Sequence, residues 1–103
     1  MEILNGKVYK HFKGGYSLVL FTAKHSDREE IEVVYKGLNN GKVYARPIDS
    51  FVDIVKNADG VDVPRFSLAS EQEVSNLLTE EDLELIASMT TFIEKDPNLE
   101  KKM

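Results

Sequence analysis

The sequence predicts a mainly β protein in which about five short strands close into a small barrel and two α-helices follow. Three observations predict it. Runs of β-branched and aromatic residues recur from Gly6 to Phe66, Asn-Gly and Asp-Gly pairs punctuate them, and at Ser67 the composition turns to acidic helix-start signals.

Tyr16 to His25 is apolar on both alternating faces, as expected of a central strand buried on two sides. Ile31 to Lys36 follows with two adjacent valines and Tyr35. Asn40-Gly41 then suits a type I′ hairpin turn, because both residues tolerate positive φ, so Lys42 to Arg46 returns antiparallel. Pro47 lacks an N–H and ends regular pairing, and Asp49-Ser50 offers a cap for one helical turn carrying Phe51. Val52 to Lys56 and Val61 to Phe66 flank Asn57-Ala58-Asp59-Gly60, a second turn signal. Strands this short, joined within about sixty residues, suit an SH3-like barrel better than a sandwich.

Ser70-Glu71-Gln72-Glu73 reads as a capping box opening a short helix that runs to Leu77 or Leu78. Thr79-Glu80-Glu81-Asp82 repeats the start signal. Leu83, Ile86, Met89, Thr90 and Ile93 then recur at helical spacing, with Leu85 and Phe92 beside them. Asp96-Pro97 ends this amphipathic helix, since the residue before proline resists helical φ and ψ, and the residues from Asn98 onward are expected to fray. The organisation is therefore a barrel domain over 1–66 and a helical extension over 67–103 that packs on the barrel and is not an independent domain.

Charge divides at the same place. Residues 1–66 carry 10 Lys and Arg against 9 Asp and Glu, whereas residues 67–103 carry 3 against 9, within a chain of 103 residues and net charge -5. No acidic residue occurs between Glu2 and Asp27, where Lys7, Lys10, Lys13, Lys24 and both histidines lie. That local excess suits a small anion. The overall negative charge argues against strong nonspecific DNA binding, which depends on neutralising many phosphates. Cysteine is absent, which removes disulfides, thiolate nucleophiles and cysteine metal sites and fits a reducing compartment. No apolar run is long enough to cross a bilayer and the N-terminus lacks the pattern of a signal peptide, so a cytoplasmic protein without membrane association is expected.

Five blocks stand out in order: Tyr9-Lys10-His11-Phe12-Lys13-Gly14-Gly15-Tyr16, Ala23-Lys24-His25-Ser26, Val33-Val34-Tyr35, Arg46-Pro47 and Pro64-Arg65-Phe66. Together they resemble a small, mostly bacterial family catalogued as domain of unknown function 1653. Its pattern has the form Tyr-Arg-His-Phe-Lys-Gly, Ala-x-His-Ser, Val-Val-Tyr, Arg-Pro and Pro-Arg-Phe. The resemblance spans roughly residues 6–66 and implies an SH3-type barrel; it implies no activity. Lys10 replaces the usual arginine, Tyr44 stands in place of a tryptophan, and the loop around Asn39 and Asn40 is short. Lys10 keeps the charge but loses the planar fork that grips an anion in two places.

The residues themselves nominate a ligand site made of Lys10, His11, Lys13, His25, Tyr44 and Arg46. Imidazoles at strand ends can donate to an anion, and Arg46 before Pro47 sits on stiffened backbone. Aromatic residues among cations resemble single-strand nucleic acid platforms, although in so short a chain most aromatics must build the core. A metal is not expected: His11 and His25 lack ligand spacing and would need Asp27, Glu30 or Asp49 to join them. Ser26 is not placed for activation by the adjacent His25, because neighbours on a strand face opposite ways; His25-Ser26-Asp27 reads as a turn. Gly14-Gly15 reads as a tight turn and not a phosphate loop, since a strand follows. Arg65 is expected to pair with Asp49 or Asp62.

The reading favoured is a noncatalytic binding module for an anionic or nucleotide-like ligand, with no cofactor. One alternative is a small enzyme using His11 or His25 as acid or base. Another is an interaction module acting through the acidic helices. The sequence leaves the ligand and the oligomeric state open.

Overall fold

The computed structural model describes residues 3–95, with side chains through residue 88. Its centre is a five-stranded antiparallel sheet in the order β4-β3-β2-β1-β7, formed by β1 (Val8–His11), β2 (Tyr16–Lys24), β3 (Ile31–Gly37), β4 (Val43–Pro47) and β7 (Phe66–Leu68). A separate hairpin pairs β5 (Ile54–Lys56) with β6 (Asp62–Pro64). Three helices complete the described chain: α1 (Ile48–Phe51), α2 (Glu71–Val74) and α3 (Glu80–Lys95).

The mainly β expectation holds, but the barrel does not close. β4 and β7 lie at opposite ends of the sheet and do not pair with each other. The physical reason lies in β2, which is apolar on both faces and needs a cover on each. On one face Tyr9, Val19, Val33, Tyr35, Phe51 and Phe66 form a core with Ile3, Ile48 and Val52 against it. On the other, Val8, Leu18 and Leu20 meet Val74, Leu77, Leu78, Leu85 and Ile86 from the helical segment. Helices thus do on one side what curling of the sheet would do in a barrel.

Several boundaries differ from expectation. Val8–His11 forms a strand of its own, between β2 and β7. The run from Val61 to Phe66 is split at Arg65, whose N–H donates to the Asp53 carbonyl so that Phe66 can turn and pair with His11. The β3–β4 turn is not type I′. Gly37 and Lys42 close a longer loop, and only Gly41 in it has positive φ, at 72°. β2 also carries a bulge. Val19 pairs with Tyr35 and Phe21 with Val34, leaving Leu20 as an extra residue, so the facing pattern reverses beyond it. The α1 turn does carry Phe51, but Pro47 occupies its N-cap and no side chain caps it.

The helix starts follow the sequence closely. Ser70 and Glu73 form the complete capping box at α2, although the helix ends at Val74 and not at Leu77 or Leu78 as expected. At α3, Thr79 and Asp82 exchange the same pair of bonds: Asp82 Oδ2 accepts from the Thr79 N–H and Thr79 Oγ1 from the Asp82 N–H. The helix stop at Asp96-Pro97, the tail from Asn98, and the side chains of Met89, Thr90, Phe92 and Ile93 lie outside the described residues. Among the described residues, no helix is long and apolar enough to cross a membrane.

Asp82 also anchors α3 to the sheet, because Lys36 Nζ donates to its Oδ1 at 2.7 Å and only 3% of the residue is exposed. Burial pushes this carboxyl up, yet the bonds from Lys36 and Thr79 outweigh it and hold it below its ordinary value. The resulting stabilisation is complete above the ordinary carboxylate range and is lost as pH falls through the lowered folded value. Asp82→Ala should therefore cost about 2 to 3 kcal/mol in urea unfolding at neutral pH, since it strands a partly buried ammonium. The deficit relative to the parent should shrink in acid.

Candidate functional site

The face that carries the aromatic core also carries a cleft. Antiparallel register places Tyr35 opposite Tyr44, Val33 opposite Arg46 and His11 opposite Phe66, so these side chains share one side of the sheet. Between them lies a cavity of about 190 Å³, bounded by His11 from β1, Gly14 and Gly15 from the β1–β2 turn, Tyr35, Tyr44, Arg46 and Phe66. No aspartate or glutamate lines it, in a protein with 18 acidic residues.

His11 is held by its own turn. Its Nδ1 accepts the Lys13 N–H at 3.2 Å, which leaves the neutral ring's proton on Nε2 as a donor. The ring stands edge-on to Phe66, with centroids 4.9 Å apart. Burial first, and then the charges of Arg46, Arg65 and Lys13, hold the imidazole below its ordinary value of 6.5.

Arg46 lies over the Phe66 ring, its guanidinium carbon 5.7 Å from the centroid, and its Nε donates to Tyr35 Oη at 3.4 Å. Among the described residues, every ion pair uses other side chains. Arg65 differs: it grips Asp53 with two bonds, of 2.7 and 3.0 Å, and not Asp49 or Asp62 as expected. Lys56 takes Asp62 instead.

Tyr44 stacks on Tyr35 with centroids 5.5 Å apart, and its Oη accepts from Asn40 Nδ2 at 2.8 Å. Asn40 in turn accepts the Lys42 N–H. Gly37 makes this packing feasible. A Cβ there would lie 2.7 Å from Asn40 Oδ1 and 3.5 Å from the Tyr44 ring.

The six residues nominated by sequence do not form one cluster. His11, Tyr44 and Arg46 converge on the cleft, and Lys13 sits on the adjoining turn with its ammonium 5.7 Å from the Phe12 ring. Lys10 points to the opposite face, where Glu73 lies 3.9 Å away; Glu73 is already held by the Tyr16 hydroxyl at 2.6 Å. His25 stands beyond the far end of the nine-residue β2, roughly 30 Å along the strand from the His11 turn. Its Nδ1 accepts the Asp27 N–H at 3.1 Å, which is the turn the sequence suggests, made by the histidine itself. It faces a separate depression lined also by Asp27 and Glu29. The two histidines therefore cannot act on one atom. Tyr35, Asn40 and Phe66 were not nominated. Hairpin register around Asn40-Gly41 is the signal that aligns Tyr35 with Tyr44, but it requires the true loop length.

The family model for proteins of unknown function designated DUF1653 matches residues 7–68. The chain belongs to this family. A crystal structure of a DUF1653 protein from Bordetella bronchiseptica is similar to it, with 27% identity and a TM-score of 0.58, covering 65% of this chain and 88% of that one. No curated protein matches the chain. The matched span takes in every DUF1653 residue that lines the cleft, from His11 to Phe66, and ends before α2.

Two outcomes follow from this geometry. In ¹H–¹⁵N spectra His11 should titrate below its ordinary value, as the Nε2–H tautomer, and Arg46→Gln should raise its pKa by removing a neighbouring cation. Because the folded imidazole resists protonation, the same spectra recorded with urea should show stability falling as pH drops below about 6.5. Gly37→Ala should displace Asn40, seen as loss of ordered Tyr44 ring shifts while the global fold persists.

Proposed function

We propose that this protein is a noncatalytic binding module whose cleft receives a small anionic group, a carboxylate or a phosphate, between Arg46 and His11. The observation that carries the reading is a guanidinium without a carboxylate partner among the described residues, set in a cleft without acids. Arg46 offers its terminal N–H groups and His11 its Nε2–H, a set of donors suited to an anion. Tyr35, held through Arg46 Nε, and Phe66, beneath the guanidinium, fix the direction of the fork and reduce the entropy lost on binding.

The cavity is smaller than the roughly 300 Å³ that encloses a drug-sized molecule, so it suits the head of a ligand better than a whole nucleotide. A general-base role for His11 fits poorly. Its free lone pair, on Nδ1, already accepts a backbone N–H, and the exposed nitrogen carries the proton. Lys13 supports the reading by adding positive charge at the mouth. Lys10 and His25, on another face and at another end, contribute only to the long-range field.

Titration of ¹⁵N-labelled protein with acetate, inorganic phosphate and adenosine monophosphate tests this. Shifts should centre on His11, Tyr44 and the Arg46 side chain. Arg46→Gln should weaken binding about ten- to hundredfold, the loss of one charge-assisted contact, and His25→Ala should leave it unchanged. Shifts confined to the His25 loop would overturn the assignment.

A further inference from the structure

β4 is an open edge, and its pairing with β3 shows which of its backbone groups are unused. Gly37 N–H donates to the Lys42 carbonyl, so Gly37 and Lys42 form a hydrogen-bonded pair. In an antiparallel ladder such pairs alternate, which makes Tyr35 with Tyr44 and Val33 with Arg46 the next two. The N–H and C=O groups of Val43 and Ala45 therefore point away from the sheet. Among the described residues no strand pairs with them. The edge is also apolar where it is open: Val43 is 60% exposed and Tyr44 40%. Pro47, without an N–H, ends it.

We propose that this edge accepts an extended acidic peptide as a sixth strand, with acidic side chains opposite Lys42 and Arg46. The placement rests on the anion reading above, because the acid opposite Arg46 is the group that occupies the Arg46 side of the cleft. The added strand would bond to Val43 and Ala45 through two of its residues. Its side chains opposite Lys42, Tyr44 and Arg46 would stand on the cleft face, and the two between them on the other, beside Val43 and Ala45. From Lys42 to Pro47 the chain carries two cations and no acid.

A second copy of this chain fits the edge poorly. The antiparallel register that uses all four outward groups centres on Tyr44 and sets Lys42 against Arg46 twice, two like-charge pairs that destabilise a sheet. Centring on Ala45 instead faces Val43 with Pro47, which has no donor to give. The same charges that repel a copy favour a strand with acids at alternate positions.

The test uses the full chain, ¹⁵N-labelled, with the peptide Ac-Glu-Val-Tyr-Val-Glu-NH₂, its lysine counterpart Ac-Lys-Val-Tyr-Val-Lys-NH₂, and acetate. The acidic peptide should slow amide exchange at Val43 and Ala45 at least tenfold and give cross-strand contacts to Tyr44. Methylating the nitrogens of its two valines should abolish that protection, and Arg46→Gln should weaken binding at least tenfold. If acetate shifts Arg46 while the peptide leaves Val43 and Ala45 unprotected, strand addition is wrong and the anion site stands. If neither perturbs Arg46, both fall. Equal binding of the lysine peptide would overturn the acidic class, and protection of the same two amides on raising protein concentration alone, with a doubled mass, would make a second copy the occupant.

Discussion

Phe51 lies flat on Phe66 at 4.1 Å with their planes 4° apart, and around this stack four stretches of chain meet. Phe51 brings the α1 turn, and Phe66 brings the start of β7, which must leave the β5–β6 hairpin to pair with β1. Tyr9 meets Phe51 edge-on and Tyr35 leans on both rings. His11 and Arg46 then rest on what remains of the Phe66 surface. The cleft is in this sense the outer side of the core: the ring that closes the fold is also the floor on which the imidazole and guanidinium are set. Neither polar group needs a partner among acidic side chains to hold its orientation, because packing, a turn amide and one tyrosine hydroxyl supply it.

The opposite face shows a different economy of charge. There Lys36 is paired with Asp82 and Lys10 approaches Glu73, so acids of the helical segment meet lysines of the sheet. The acidic excess over 67–103 thus has an internal use at these two points. It is spent away from the cleft, whose lining holds no acid although the chain as a whole is negative. Separation of the two faces by a single sheet lets both arrangements coexist.

Much of this was legible from local chemistry. Capping boxes at Ser70 and Thr79 and the apolar character of β2 on both sides each act within a few residues, and each stands where the sequence puts it; the turn at Asn40-Gly41 is there too, but in a longer loop than a type I′ hairpin. The family resemblance rested on blocks that fall on the five-stranded sheet and its turns, at the approach to α1 and across the break between β6 and β7. What failed to read was what depends on distance. Closure of a barrel depends on whether β4 and β7 meet, and sequence does not state that. Lys10 and His11 are neighbours, so their charges look like one patch, yet pleating sends them to opposite faces. His11 and His25 look alike because both sit in short basic stretches and both accept an amide two residues on, but β2 holds them at opposite ends. Arg65 finds Asp53 because the break between β6 and β7 turns it there, and nothing in spacing distinguishes Asp53 from Asp49 or Asp62.

The bulge at Leu20 bears on how such a chain can change length. Before it, even-numbered residues of β2 lie on the side of the sheet that the helices cover; after it, odd-numbered ones lie on that side, and Leu20 and Phe21 share it, Phe21 opposite Val34 and partly exposed. Removing Leu20 would restore simple alternation with Val19, Phe21 and Thr22 keeping their faces, whereas removing a residue elsewhere in β2 would exchange the two faces for every position on one side of the cut. An insertion or deletion in the Asn57–Gly60 turn carries no such penalty, since no pleat phase crosses it. A change of length in a loop or at this bulge thus reverses no face, and elsewhere β2 acts as the ruler against which the rest of the fold is measured.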